Sequence, residues 1–196
     1  MRDVTDLYQE FGEERLPPGQ SKRDDFPVLS KGGTPRVDTD DWEFTVSGAV
    51  ENELSFSWAE FLDLPSETQL QDFHCVTGWS RFDNEFTGIP FPEIVERAGV
   101  AEDAVHVMFG AADDYTTDLS LEACNRPEVL FAYELDGEPL PADHGGPLRV
   151  VTPHKYAWKG AKWVDSVTFL TEAELGYWEQ RGYSDTANPW EQDRYS

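Results

Sequence analysis

The sequence predicts an α+β domain built on a mainly antiparallel core. Three observations carry that expectation. Strand-like apolar segments outnumber helical ones, and the helical segments are short with their own start and stop signals. An Asp136-Gly137 pair also marks a tight hairpin between apolar runs.

Taken in order, residues 1–36 are rich in charge, Gly and Pro and read as an extended arm. We place the arm proper at 1–25 and the folded domain at 26–196. Trp42, Phe44 and Val46 alternate with polar residues, which is a strand ended by Gly48. Ser57 to Leu64 reads as a short helix in which Ser57 and Glu60 form a capping box. The segment around Cys75 lacks regular periodicity and is expected to be a loop. Pro92 to Ala98 places Ile94, Val95 and Ala98 on one helical face, with Gly99 as the stop. Val105 to Phe109 is a buried strand, and Ser120 caps a short helix reaching Asn125. Val129 to Leu135 is a strand that turns at Asp136-Gly137, and Leu148 to Thr152 and Val164 to Leu170 are further strands. The tail from Glu172 is irregular and aromatic.

Composition narrows the function classes. The 39 acidic and 15 basic side chains give a formal charge of −24, which repels phosphate backbones and anionic lipid, so nucleic acid and membrane are not expected partners. Acidic disorder needs few aromatics, and here they reach 13%. The excess acid and the small share of lysine fit a halophilic protein. No apolar run approaches the ~20 residues that span a bilayer. Met1-Arg2-Asp3-Val4-Thr5-Asp6 has neither the basic start nor the apolar stretch of a secretory signal, so a cytoplasmic location is expected unless a leader has been removed. Cys75 and Cys124 are too few for a disulfide scaffold or a cysteine zinc site. A bridge between them stays open but is disfavoured in a reducing compartment.

Two stretches carry chemistry. From Arg149 to Val164 there is no acidic residue, and the basic ones are Arg149, Lys155, Lys159 and Lys162. This span is either a core crossing from which acids are excluded, or an anion cradle in which Gly160 admits close backbone approach. No nucleotide-binding glycine motif accompanies it. Cys75, in Phe73-His74-Cys75-Val76-Thr77-Gly78-Trp79-Ser80, is either an inert buried thiol or a soft ligand for a thiophilic metal. His74, His106, His144 and His154 complete no thiol-protease signature.

Together the Cys75 stretch and the block from Phe131 to Val164, with its His144-Gly145-Gly146-Pro147-Leu148-Arg149 core, resemble the molybdenum-cofactor domain of the sulfite oxidase family. The likeness covers about residues 26–196. It implies the sulfite oxidase molybdopterin-binding fold and one molybdopterin cofactor carrying molybdenum, with Cys75 as metal ligand. His144 and Arg149 would contact the pterin, and Gly160, Ala161 and Lys162 would surround its phosphate. Leu29-Ser30-Lys31-Gly32-Gly33 would cover the cofactor, which places Ser30, Lys31 and Gly32 against it. Tyr177-Trp178-Glu179-Gln180-Arg181-Gly182-Tyr183 resembles the family segment whose tyrosine stands beside the metal; Tyr183 is otherwise a rim aromatic.

The implied activity is two-electron oxo transfer on a small oxyanion or S-oxide, with Tyr183 and Arg81 positioning the substrate. Sulfite-oxidising members carry an arginine pair after the cysteine, whereas Ser80-Arg81 supplies one, and Lys31 stands where an arginine is expected. Shorter single-domain relatives include sulfoxide reductases. No second redox centre is recognisable, so the resemblance implies a separate electron-transfer partner. The alternative is a non-catalytic carrier or storage protein for the cofactor.

Overall fold

The computed structural model describes residues 2–3 and 14–196, in which twelve strands form two sheets. The first sheet contains β1 (Arg2–Asp3), β2 (Ser21–Lys22), β5 (Glu67–Cys75), β6 (Trp79–Pro90), β9 (Leu130–Leu135), β10 (Glu138–Pro139) and β11 (Arg149–Val151). Its order is β1-β5-β6-β9-β10, with β2 added to β6 and β11 added to β9. The second sheet runs β4 (Leu54–Ser57), β3 (Glu43–Gly48), β12 (Val164–Leu170), β7 (His106–Ala111) and β8 (Thr116–Ser120). Only β1/β5, β2/β6 and β3/β12 pair in parallel among the described residues. The mainly antiparallel α+β expectation therefore matches.

An aromatic core joins the sheets. Phe131 of β9 meets Phe44 of β3 at 5.1 Å and Phe109 of β7 at 6.0 Å between ring centroids, both edge to face. Each such ring is fully buried, worth roughly 1.5–3 kcal/mol relative to exposure. Three short helices border the sheets: α1 (Trp58–Leu62), α2 (Phe91–Ala98) and α3 (Leu121–Cys124). The capping box of α1 forms as the sequence implies, with the Glu60 amide donating to Ser57 Oγ at 3.4 Å and the Ser57 amide to Glu60 Oε2 at 2.8 Å. Gly99 ends α2 in the left-handed region at φ 62°. Asp136 and Gly137 both take positive φ, which the β9–β10 hairpin requires.

The expectation of a loop around Cys75 is corrected. That segment is the end of β5, which with β6 forms a long hairpin. The alternation is hidden because β5 buries polar residues: Gln69, Gln71, Asp72 and His74 are each at most 1% exposed. Each has a partner that makes burial tolerable. Gln69 Nε2 donates to the Pro127 carbonyl at 2.8 Å and Gln71 Nε2 to that of Glu128 at 2.7 Å. Arg15 grips Asp72 through two bonds at 2.7 and 2.8 Å, and His74 Nδ1 lies 2.8 Å from Ser80 Oγ. Strands β4 and β8 are also absent from the sequence reading. Of the expected arm, residues 1 and 4–13 lie outside the described residues, and β2 runs alongside the Cys75 hairpin.

Burial holds the His74 and His154 imidazoles neutral, down to about 3. Their folded values lie below the unfolded one, so unfolding takes up protons. The associated stability is intact above pH ~6.5 and is lost as pH falls, by about 1.4 kcal/mol per unit for each histidine. Between pH 6.5 and 5 this contribution should fall at constant salt, while the raised Asp72 and Asp118 carboxyls act with the opposite sign, so the check is the difference from a His154→Gln variant. A melting temperature that changes with pH identically in parent and variant would contradict a buried neutral His154.

Candidate active site

Strand pairing brings the chemistry-bearing stretches together. At the end of β5, Phe73 and Cys75 face one side and His74 the other, as period-two geometry requires. The chain then turns tightly, with the Gly78 amide donating to the Cys75 carbonyl at 3.0 Å and Gly78 at φ 91°. Cys75 opens into a cleft of about 240 Å³ whose wall also contains Arg149, Lys162, Thr77 and Tyr183. Cys75 and Cys124 are both free thiols, and burial pushes the Cys124 thiol well up, leaving it inert.

The floor of the cleft is cationic. Gly145, at φ 113°, lets the chain cross closely, since a Cβ there would lie 3.0 Å from Arg149 Cβ and 3.1 Å from Lys162 Cβ. Arg149 is 1% exposed. Its Nη1 donates to the His144 carbonyl at 2.9 Å, and its guanidinium lies 5.0 Å from the Phe73 ring centroid. Among the described residues it makes no carboxylate ion pair, and burial pulls it down to about 10. Lys162 Nζ donates to the Asp143 carbonyl at 2.7 Å and to Ser30 Oγ at 3.1 Å. Burial first, then Arg149, lowers it to about 8. The same causes lower His144. A buried cation without a counter-charge is costly. Arg149 is such a cation, and with the half-buried Lys162 beside it in the same cleft it fits an anionic group bound there.

The upper walls are aromatic. Phe26, Trp79, Trp158, Trp163, Trp178 and Tyr183 all line the cleft. Tyr183 packs against Trp158 at 5.2 Å and Trp178 at 5.1 Å. Behind this wall Glu179 Oε1 accepts from Lys159 at 2.8 Å, Thr117 at 3.0 Å and the Trp158 indole at 3.1 Å. Asp113 is the carboxylate in the lining, and its carbonyl accepts from Lys31 Nζ at 2.6 Å.

Of the residues expected at the site, Cys75, Ser30, Lys31, His144, Arg149, Gly160, Lys162 and Tyr183 line the cleft. Arg81 does not. Its guanidinium is engaged by Asn84 and by Asp136, the latter at 3.0 Å, and stacks over Phe26 at 5.2 Å. Ala161 is fully buried, with its carbonyl accepting from Val150 at 2.8 Å. Gly32 has open space where a side chain would stand. Gly160 is glycine because the Val150 carbonyl would lie 2.6 Å from a Cβ, a packing reason rather than ligand access. Lys155 and Lys159 point elsewhere: Lys155 donates to the Thr186 carbonyl at 2.8 Å, and Lys159 is buried among carboxylates. The acid-free span is thus part cradle and part core. Thr77, Asp113, Tyr115, Trp158 and Phe26 were not singled out from sequence; adjacency to Cys75 could have flagged Thr77, and nothing marks Asp113.

A two-sheet fold thus brings one free cysteine and the cations Arg149 and Lys162 to a single cleft. Residues 31–178 match the family model described as "Oxidoreductase molybdopterin binding domain", and the chain belongs to that family, with a sulfite oxidase-type fold and a molybdopterin cofactor. It is 40% identical over 183 residues to the uncharacterized oxidoreductase YuiH of Bacillus subtilis (strain 168), covering 93% of this chain and 92% of that one. It is 26% identical over 212 residues to the protein-methionine-sulfoxide reductase catalytic subunit MsrP of Xanthomonas campestris pv. campestris, covering 96% of this chain and 62% of MsrP. Among solved structures, the sulfane dehydrogenase SoxCD of Paracoccus pantotrophus shares the fold at a TM-score of 0.66 and 21% identity, over 72% of this chain and 41% of that one. The chain therefore spans less than two thirds of MsrP and of the SoxCD chain.

Proposed function

We propose that this oxidoreductase reduces a neutral, apolar-flanked S-oxide. The observation that carries the reading is the pairing of a cationic floor with an aromatic mouth from which Arg81 is withdrawn. Arg149 and Lys162 would hold the phosphate of the molybdopterin, His144 and Ser30 would contact the pterin, and the Cys75 thiolate would ligate the metal. When bound, the molybdenum centre supplies two-electron oxygen-atom exchange. The balanced reaction is R2S=O + 2e− + 2H+ → R2S + H2O, with electrons from a separate carrier.

The remaining steps belong to the chain's own residues. Trp158, Trp178 and Phe26 shed water and bind the organic substituents. The Tyr183 hydroxyl, which has no hydrogen-bond partner among the described residues, would donate to the sulfoxide oxygen, and its position in the cleft lining supports that role. Lys31 offsets Asp113 across 3.9 Å, and the net charge of −24 disfavours an oxyanion, which a free Arg81 would have favoured. An open aromatic cleft with an unengaged hydroxyl also argues against a cofactor store.

Anaerobic turnover of dialkyl sulfoxides, sulfite and nitrate by molybdenum-loaded protein tests this. Sulfoxide should give the highest kcat/KM. Tyr183→Phe should lower it about tenfold, or 1.4 kcal/mol, at unchanged cofactor content and melting temperature. Preferential turnover of sulfite would overturn the substrate class, and turnover of none would favour storage.

A further inference from the structure

Cys75 Sγ has one hydrogen-bond partner among the described residues, the Thr77 hydroxyl at 3.1 Å. A thiolate carries no proton, so once Cys75 ligates a metal the hydroxyl must be the donor.

The surrounding turn fixes this contact. The Cys75 carbonyl accepts from the Gly78 amide at 3.0 Å and from Gln20 Nε2 at 3.2 Å. Gln20 Oε1 in turn accepts from Ser80 Oγ at 3.4 Å, and Ser80 Oγ lies 2.8 Å from His74 Nδ1. Backbone bonds from Ser21 to the Gly78 carbonyl at 3.0 Å and from Arg23 to the Ser80 carbonyl at 2.8 Å lay β2 along the same turn. The backbone on both sides of Cys75 is therefore tied down. Thr77, two residues on, is held with its hydroxyl against the sulfur.

We propose that Thr77 is a positioning residue whose hydroxyl donates to the Cys75 thiolate and sets how strongly that sulfur donates to the bound metal. This rests on Cys75 being the metal ligand. A hydrogen bond draws electron density from sulfur and makes it a weaker donor, as partners of ligand atoms do at metal centres generally. Without it the sulfur is more electron-rich. Charge transfer from sulfur to metal then needs less energy, and the metal is harder to reduce.

Valine replaces the hydroxyl by a methyl at the same volume. Thr77 is exposed at the cleft wall, so the change leaves the core untouched. The experiment compares full-length, molybdenum-loaded parent, Thr77→Val, Thr77→Ser and Cys75→Ser by metal content, visible absorption and dye-mediated reductive titration. Thr77→Val is expected to retain molybdenum, shift the sulfur-to-metal band to longer wavelength and lower the midpoint potential, and Thr77→Ser to restore both. If the band and midpoint of Thr77→Val superimpose on the parent while Cys75→Ser loses the band, the tuning role is wrong and the ligand assignment stands. If Cys75→Ser keeps the band, the ligand assignment falls and takes the Thr77 role with it.

Discussion

Lys159→Ala is expected to cost about 3–5 kcal/mol of unfolding free energy. Lys159 is fully buried, 2.8 Å from Glu179 Oε1 and 3.6 Å from Asp118 Oδ1, and donates to the Asp118 carbonyl at 2.7 Å. Burial raises the Asp118 carboxyl, with Lys159 opposing that rise. Removing the ammonium leaves two carboxylates in a dry environment without their counter-charge, and that cost exceeds what the pair gains when intact. The same cluster fastens the tail, because Asp118 Oδ1 accepts from the Gly176 amide at 3.0 Å and Glu179 opens the turn that leads to Tyr183. The variant should therefore also loosen Trp178 and Tyr183. The exposed pair Arg97–Glu93 is the control, since an i,i+4 surface pair is worth about 0.3–0.5 kcal/mol. Denaturant unfolding measures both, and a loss below about 1 kcal/mol in Lys159→Ala would show that the cluster does not hold the tail.

What could be read from the sequence divides along physical lines. Elements that bury apolar side chains in period were legible: β3 through Phe44 and Val46, α1 through its capping box, α2 through Gly99, and the turn at Asp136-Gly137. The β5–β6 hairpin was not, because amides, a carboxylate and an imidazole occupy positions that alternation assigns to hydrophobes. The amides and the carboxylate find partners 57 or 58 positions away, such as Arg15 and Pro127, and His74 meets Ser80 across the hairpin, none of which an alternation pattern reports.

At the site, residue type left Cys75, Arg149 and Lys162 open and the family resemblance singled them out, and the structure brings all three to one cleft. Composition could not separate the lysine that faces the cleft from the one that neutralises buried acids. Lys159 and Lys162 are three residues apart, and a 3-10 turn over Ala157–Lys159 sends them to opposite sides. Arg81 lies outside the cleft lining for a similar reason. A cation near the cysteine in sequence was read as a substrate anchor, but Asp136 at the hairpin tip had already engaged it.

The central claim is that the unpaired cations of the cleft floor exist for the cofactor and not for the fold. Arg149→Leu separates the two. The guanidinium is buried with no carboxylate beside it, so the cofactor-free protein loses an uncompensated charge and keeps apolar volume. Its melting temperature should equal or exceed the parent's. A charge-assisted bond to a bound phosphate is worth about 1.5–3 kcal/mol, so cofactor retention should fall roughly ten- to hundredfold. The deciding measurement is pterin and molybdenum content in parent and Arg149→Leu purified side by side, with the cofactor-free melting temperature of each. The account predicts lost cofactor at undiminished stability. Equal cofactor content in a variant that melts well below the parent would contradict it.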